Sequence, residues 1–395
     1  MPGLLSGIKV VDLTSVVMGP YATQIFGDMG AEVIKVESPQ GDIMRHMGVG
    51  HSAAMGPIHL SVNRNKKSLM LDLQQPAARQ ALHRVIAGAD VFVHAMRPAA
   101  IERLHLDYSR VKETNPGIVY CGAYGFGQDG PYAANPAYDD MIQGLSGLCS
   151  LNASLAGEPR FTPTIIADKV AGLTVTYSIL GALVHKFRTG EGQSIEVPMF
   201  EALASFMLIE HMGERTFDPD SGEAGYARVL SQLRKPHRTL DGYLCVLPYT
   251  DRNWQDFFKL ADRDDLARDP RYVTANSRSK NYETLYKTLG DIMALRTSAE
   301  WLSQLRPLGV PVAKVNSLED LFGDPHLCAV GMFSRMPHPS EGVLTQVRPP
   351  VNFEKTPSAI TCLAPRLGEH SRELLAAAGL SDGEIAALVD TGATC

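Results

Sequence analysis

The sequence predicts an α/β protein in which a parallel sheet carries helices on both faces, followed by a smaller α+β region. Two observations carry this. Over roughly the first half of the chain, apolar runs of strand length alternate with helical segments, the pattern of a parallel sheet. Near 212–226 the chain turns polar, and beyond it helical periodicity dominates to about residue 305. A chain of 395 residues, 45% apolar and 20% charged, is long enough for two or three domains with sizeable cores.

Residues 8–13 form the first strand. Gly19 and Pro20 then open a helix over about 21–29. Proline fits a helix start because its missing N–H would have no partner there, and Gly30 suits the position after the helix end. Residues 32–36 are the second strand, a helix follows at about 76–87, and strands follow at 90–94 and 118–123. Residues 124–135, rich in Gly, Pro and Asn, read as an irregular loop. Helices are expected at about 139–149 and 168–186, with a polar, proline-punctuated segment at 152–164 between them. A strand at 194–197 leads to a helix starting near Met199. After the polar segment 214–223, Asp241-Gly242 turns the chain into a strand at 243–247. A further strand is expected at 309–315, strand-like pieces run to 353, and 367–389 reads as helical.

The composition excludes several classes. A net charge of −6 leaves no electrostatic footprint for nucleic acid. No run approaches about 18 uninterrupted apolar residues, so no membrane partner is expected. Residues 1–10 carry one lysine and no apolar core with a cleavage site, so they do not read as a signal peptide. Cys121, Cys149, Cys245, Cys328, Cys362 and Cys395 lie far apart without a CxxC pair, which speaks against a disulfide framework or a zinc knot and fits a reducing cytoplasm. His46, His51 and His59 match no zinc spacing, so no metal site is expected.

Gly125, Gly127 and Gly130 match GxGxxG after a strand. A dinucleotide site needs a helix N-terminus next, to face the pyrophosphate. Here Pro131-Tyr132 and Asn135-Pro136 follow, which is loop chemistry. Asp168 stands where a helix begins, and two readings are open. It is an N-cap, accepting backbone N–H groups, or it is a carboxylate kept ionised at a helix start, with the small residues Ala171 and Gly172 leaving room for a ligand. Tyr138 and Asp139 open the preceding helix and are capping residues or supports to such a site. Lys66, Lys67, Arg97 and Arg103 read as surface charges, although Arg97 lies just past a strand end, where parallel sheets take phosphate-rich ligands.

The motifs occur in an order that resembles the class III CoA-transferases, the CaiB/BaiF family. They are Gly7 to Leu13 with Gly19-Pro20, Gly30 to Glu37, Asn65 to Ser68, Arg97-Pro98, Asn115-Pro116 to Tyr120, Gly125 to Tyr132, Arg188 to Gln193, and Leu367 to Ser371. The resemblance runs over about 5–390. It implies a Rossmann-like large domain built from both chain ends, 1–212 and 326–395, a linker at 213–225, a small domain at 226–325, and a homodimer of interlocked chains. It implies that Asp168 is the catalytic nucleophile. Coenzyme A would lie across the first β–α turn at Ser15, Val16 and Met18, along Ala95, Met96 and Arg97, near Arg103, and beside the apolar Leu71 and Met199. No cofactor is held permanently; the CoA thioester is a substrate, with a free organic acid as its partner.

Departures from the family pattern bear on specificity. Val17 stands where formyl-CoA members carry Gln, and Leu233 to Thr239 replaces their glycine run. Tyr138 stands where the racemase branch carries a His. The expected reaction is CoA transfer from an acyl-CoA, expected to be succinyl-CoA, to a C4–C5 dicarboxylate or a sulfinate analogue. The alternatives are an acyl-CoA racemase on the same fold and a non-catalytic CoA-binding scaffold. Arg234 and Arg238 form either a solvated basic turn or a clamp for the second carboxylate of the acceptor.

Overall fold

The structure, a computed structural model, describes residues 2–219 and 221–395; Met1 and Asp220, the latter within the expected linker, lie outside the described residues. The chain divides into two compact units. The first comprises Met1–Cys149, Phe161–Met207 and Cys328–Cys395, and the second Ser150–Arg160 and Leu208–Leu327. The segment 150–160, expected in the large domain, therefore groups with the second unit, and so does 208–225.

In the first unit six parallel strands form one sheet: β1 (Lys9–Leu13), β2 (Glu32–Glu37), β3 (Lys66–Met70), β4 (Val91–His94), β5 (Val119–Tyr124) and β6 (Ser194–Pro198), in the order β3-β2-β1-β4-β5-β6. Strand residues alternate between two cores, as a pleat requires. Val10, Val91 and Val93 face one side, with α1 (Met18–Asp28) and the helix Ile166–Thr189. Val11 and Phe92 face the other, with α2 (Pro76–Ala87) and the C-terminal helices Ser371–Ala377 and Asp382–Asp390. Leu374, Leu375, Ile385 and Leu388 in this second core join the two ends of the chain in one unit.

Three of the differences from expectation bear on the sheet and the site. Helix α1 starts at Met18, because Gly19 and Pro20 fit within the first turn, where N–H groups have no intrahelical partner. The helix after 139 breaks after Leu145 and resumes over Leu148–Ala156, so the second piece runs into the polar segment 152–164 as far as Ala156. Strand β3 was not expected at all. Its sequence, KKSLM, opens on two lysines, yet Lys66 is almost fully buried. The Lys66 ammonium lies 3.1 Å from the Asp12 carboxylate and donates to Thr23 Oγ1, Asn63 Oδ1 and the Pro20 carbonyl. A buried charge is tolerated when it is paired and fully hydrogen-bonded, and only the fold supplies those partners.

The second unit has an antiparallel sheet of β7 (His237–Arg238), β8 (Tyr243–Val246) and β9 (Val312–Lys314). Its core is aromatic: Trp254, Phe257, Phe258 and Trp301 pack together with Leu244 and Leu289.

Candidate active site

The strand order reverses between β1 and β4. Loops leaving these strands diverge at their C-terminal ends, and open α/β sheets take ligands in the crevice that results. A cleft of about 260 Å³ opens there. Ser15, Val16 and Met18 line it after β1, Ala95 and Arg97 after β4, and Gly125 after β5. Tyr138, Asp168 and Met199 complete it, together with Ala123 and residues 135–137.

Asp168 lies in the first turn of α3 (Ile166–Thr189). It is not the N-cap. Ile165 holds that position without a side-chain bond, and the cap comes from another helix. Asp139, first residue of Asp139–Leu145, accepts the Asp168 N–H at 3.1 Å through Oδ1, while Gln143 Nε2 donates to its Oδ2 at 2.7 Å. Asp139 is buried and does not line the cleft; its role is to fix the start of α3.

That arrangement leaves Asp168 unusual. It is 7% exposed and has no ion-pair partner among the described residues. Burial pushes its carboxyl up to about 6, the negative Asp139 adds to the rise, and the Met18 backbone pulls the other way. The close approach of α1 to α3 depends on Gly172, where a Cβ would sit 2.8 Å from the Met18 carbonyl oxygen. Gly172 thus brings the turn after β1 to the carboxylate.

The other expected site residues divide. Ser15, Val16, Met18, Ala95, Arg97 and Met199 line the same cleft as Asp168. Arg103 lies on an adjoining groove of about 510 Å³ that shares Arg97. Met96 packs half-buried against the core, its N–H donating to His94 Nδ1. Leu71 does not line the cleft: it is fully buried in the core that the C-terminal helices share, on the same face of the sheet as Leu69. Arg234 and Arg238 are exposed on the second unit, with no side-chain partner among the described residues.

The glycine-rich loop is explained by its own packing. A Cβ at Gly125 would stand 2.3 Å from the Ala137 Cβ, so the loop folds back on itself only with glycine there. The Gly127 N–H donates to Glu201 Oε1 at 2.8 Å and the Gln128 N–H to Glu196 Oε1 at 2.7 Å, so neither is aimed at a phosphate. The fold-back carries Asn135, Pro136 and Ala137 to the cleft, three residues not expected there; Gly125 was the signal that marked them.

A family model for CoA-transferase family III matches residues 5–371. The chain is a family III CoA-transferase. It is 32% identical to a succinyl-CoA:mesaconate CoA-transferase of Haloarcula hispanica over 96% of this chain and 98% of that one. It is 30% identical to a succinate–glutarate CoA-transferase of Agrobacterium fabrum over 94% and 95%. Its fold superposes on a CaiB/BaiF family protein from Brucella suis with a TM-score of 0.80, at 29% identity, covering 96% of this chain and all of the other. The substrates of a CoA-transferase are an acyl-CoA and a carboxylic acid, so this enzyme's site must accept a thioester and a free acid.

Proposed function

We propose that this CoA-transferase moves CoA from succinyl-CoA to a C4–C5 dicarboxylate, or to an anionic analogue such as a sulfinate, with Asp168 as the nucleophile. The observation that carries the reading is a buried carboxylate without a counter-ion, in a cleft at the point where the sheet order reverses. Above about pH 6 it is ionised, and its raised pKa makes it more basic than an ordinary aspartate.

Asp168 attacks the thioester carbonyl and expels CoA thiolate, leaving a mixed anhydride. The thiolate attacks the aspartyl carbonyl of that anhydride, releasing the donor acid as a carboxylate and forming an aspartyl-CoA thioester. The acceptor carboxylate attacks this thioester, giving a second anhydride and thiolate. Return of the thiolate to the acceptor's acyl carbon completes transfer and regenerates Asp168. No net proton is consumed. Orientation of the reacting groups supplies much of the rate, since well-placed intramolecular reactants gain about 7–11 kcal/mol. The Met18 amide and the start of α3 are donors suited to the developing oxyanion. Arg97 and Arg103 supply positive charge for the phosphates of CoA.

The diacid preference rests on the names of the two relatives, whose glutarate and mesaconate are both C5 dicarboxylates. A homodimer is supported by α3, whose exposed Leu173, Tyr177, Val184 and Phe187 share one helical face, and the family resemblance is the ground for the interlocked form. Light scattering at micromolar concentration should find no folded monomer.

The test of function is CoA exchange between succinyl-CoA and a panel of free acids, run in deuterium oxide. Exchange with a C4–C5 diacid, without deuterium entering Cα, supports the reading. Deuterium at Cα selects a racemase instead, and neither signal leaves a CoA-binding scaffold.

A further inference from the structure

We propose that Lys35 and Asp42, neither of which lines the cleft, are positioning residues that hold the Ser15–Met18 turn in a strained conformation and so shape the wall of the cleft beside Asp168. The inference rests on the reading that this cleft receives CoA.

Val16 has φ +69°, in the left-handed region. For a β-branched residue this is a genuine outlier, and such strain persists only where surrounding structure enforces it. The enforcing contacts are on hand. Asp42 Oδ1 accepts the Val16 N–H at 3.2 Å and the Met44 N–H at 3.0 Å. Its Oδ2 accepts Lys35 Nζ at 2.9 Å, and the same ammonium donates to the Thr14 carbonyl at 3.1 Å. One buried ion pair therefore grips the turn at residue 14 and again at residue 16; its side chains are 0% and 1% exposed.

Both flanks are fixed as well. Thr14 is tied to Asp12 through its N–H and its hydroxyl, and a Cβ at Gly19 would stand 2.3 Å from the Thr14 side chain. On the other side the Asp42 N–H donates to Glu37 Oε1, and Glu37 is held by two bonds from Arg45. A buried ion pair contributes little net stability over apolar residues of the same size, because desolvation offsets attraction. Fixing the shape of the turn is a use that the geometry does supply. Glycine at 16 would adopt this φ freely, but it would leave the cleft without the Val16 side chain and the turn without rigidity.

The probe is CoA itself, titrated calorimetrically into the full-length chain, with transfer measured alongside. Asp42→Ala should weaken CoA binding about tenfold, a loss equal to the lower end of the strain it no longer restrains. Adding Val16→Gly to that variant should restore about threefold or more, because glycine reaches the bound turn without the anchor. Asp42→Asn keeps an oxygen for the Val16 amide and should lose less, again with rescue by Val16→Gly; it replaces Asp42→Ala if that variant does not fold. Val16→Gly alone should leave Tm within about 2 °C, since strain relief offsets lost packing. A folded Asp42→Ala with unchanged CoA affinity overturns the proposal. So do losses from Asp42 and Val16 variants that simply add, or a fall of many degrees in Val16→Gly. Arg97→Met tests the underlying reading separately: unchanged CoA affinity there means that CoA binds elsewhere.

Discussion

Two buried aspartates on the same side of the sheet have opposite fates. Asp12 is fully buried at the end of β1, Asp168 nearly so at the start of α3. Burial pushes both carboxyls up, but Lys66 and Lys35, with the hydroxyls of Thr14 and Thr23, outweigh it at Asp12 and hold that group at about 2. At Asp168 the neighbouring charge is another carboxylate, and the group rises to about 6. Burial alone does not make an acid reactive. The sign of the charge beside it decides whether the group is spent on structure or left available for chemistry.

That contrast can be broken most severely at Asp168 itself. Asp168→Ala should lower transfer by about a thousandfold or more while leaving CoA affinity nearly unchanged, since the covalent route is lost and the rest of the cleft is not. Mass spectrometry of wild type incubated with acyl-CoA should find CoA on the peptide that contains Asp168. Retention of a tenth of the activity would remove Asp168 from the mechanism.

Asp12→Asn attacks the other side. It leaves the Lys66 ammonium buried without its carboxylate, and removing one partner of such a pair costs about 3–5 kcal/mol. Urea unfolding should show a lower midpoint with an unchanged slope. The double change Asp12→Leu with Lys66→Met should recover most of that loss. If it does not, the pair matters for more than charge neutralisation.

Asp168→Asn should have the opposite effect on stability. The folded-state pKa, about 6, lies above the ordinary 3.8, so the ionised carboxylate destabilises the fold above pH 6, and this penalty disappears as pH falls below about 4. The amide cannot ionise. The variant should therefore be more stable than wild type at pH 8, by on the order of 2 kcal/mol, and equal to it at pH 4. A destabilised variant at pH 8 would mean that Asp168 is held by favourable contacts after all.

The smallest effect isolates the charge of Asp139. Asp139→Asn keeps an oxygen for the Asp168 N–H but removes the repulsion, so the Asp168 pKa should fall. The acid limb of kcat/KM should move to lower pH by less than about one pH unit, because burial, the larger cause, remains. No movement, or movement upward, would show that Asp139 acts only as a cap.

The sequence by itself determined the alternation of strand and helix, and with it the parallel sheet. Residues 8–13, 32–36, 90–94 and 118–123 read as mainly apolar runs of strand length, because parallel strands are buried on both faces; charges such as Asp12 and Lys35 interrupt their runs without hiding them. Its ordered motifs also identified the family and marked Asp168, and the turns after β1 and β4 supply Ser15, Val16, Met18, Ala95 and Arg97 to the cleft. Tertiary structure alone decided the rest. Strand β3 was hidden because its first three residues, Lys66, Lys67 and Ser68, are all polar, and only the distant Asp12, Thr23 and Asn63 make the burial of Lys66 tolerable. The resemblance puts Leu71 beside CoA, but the pleat turns it into the core, outside the cleft. Asp139 looked like the cap of its own helix and instead caps another, 29 residues away. The strain at Val16 has no sequence signal, since a β-branched residue is not expected at positive φ. Local patterns record what a segment buries; which charge meets which, and which turn is held against its preference, depend on long-range partners that a single segment does not contain.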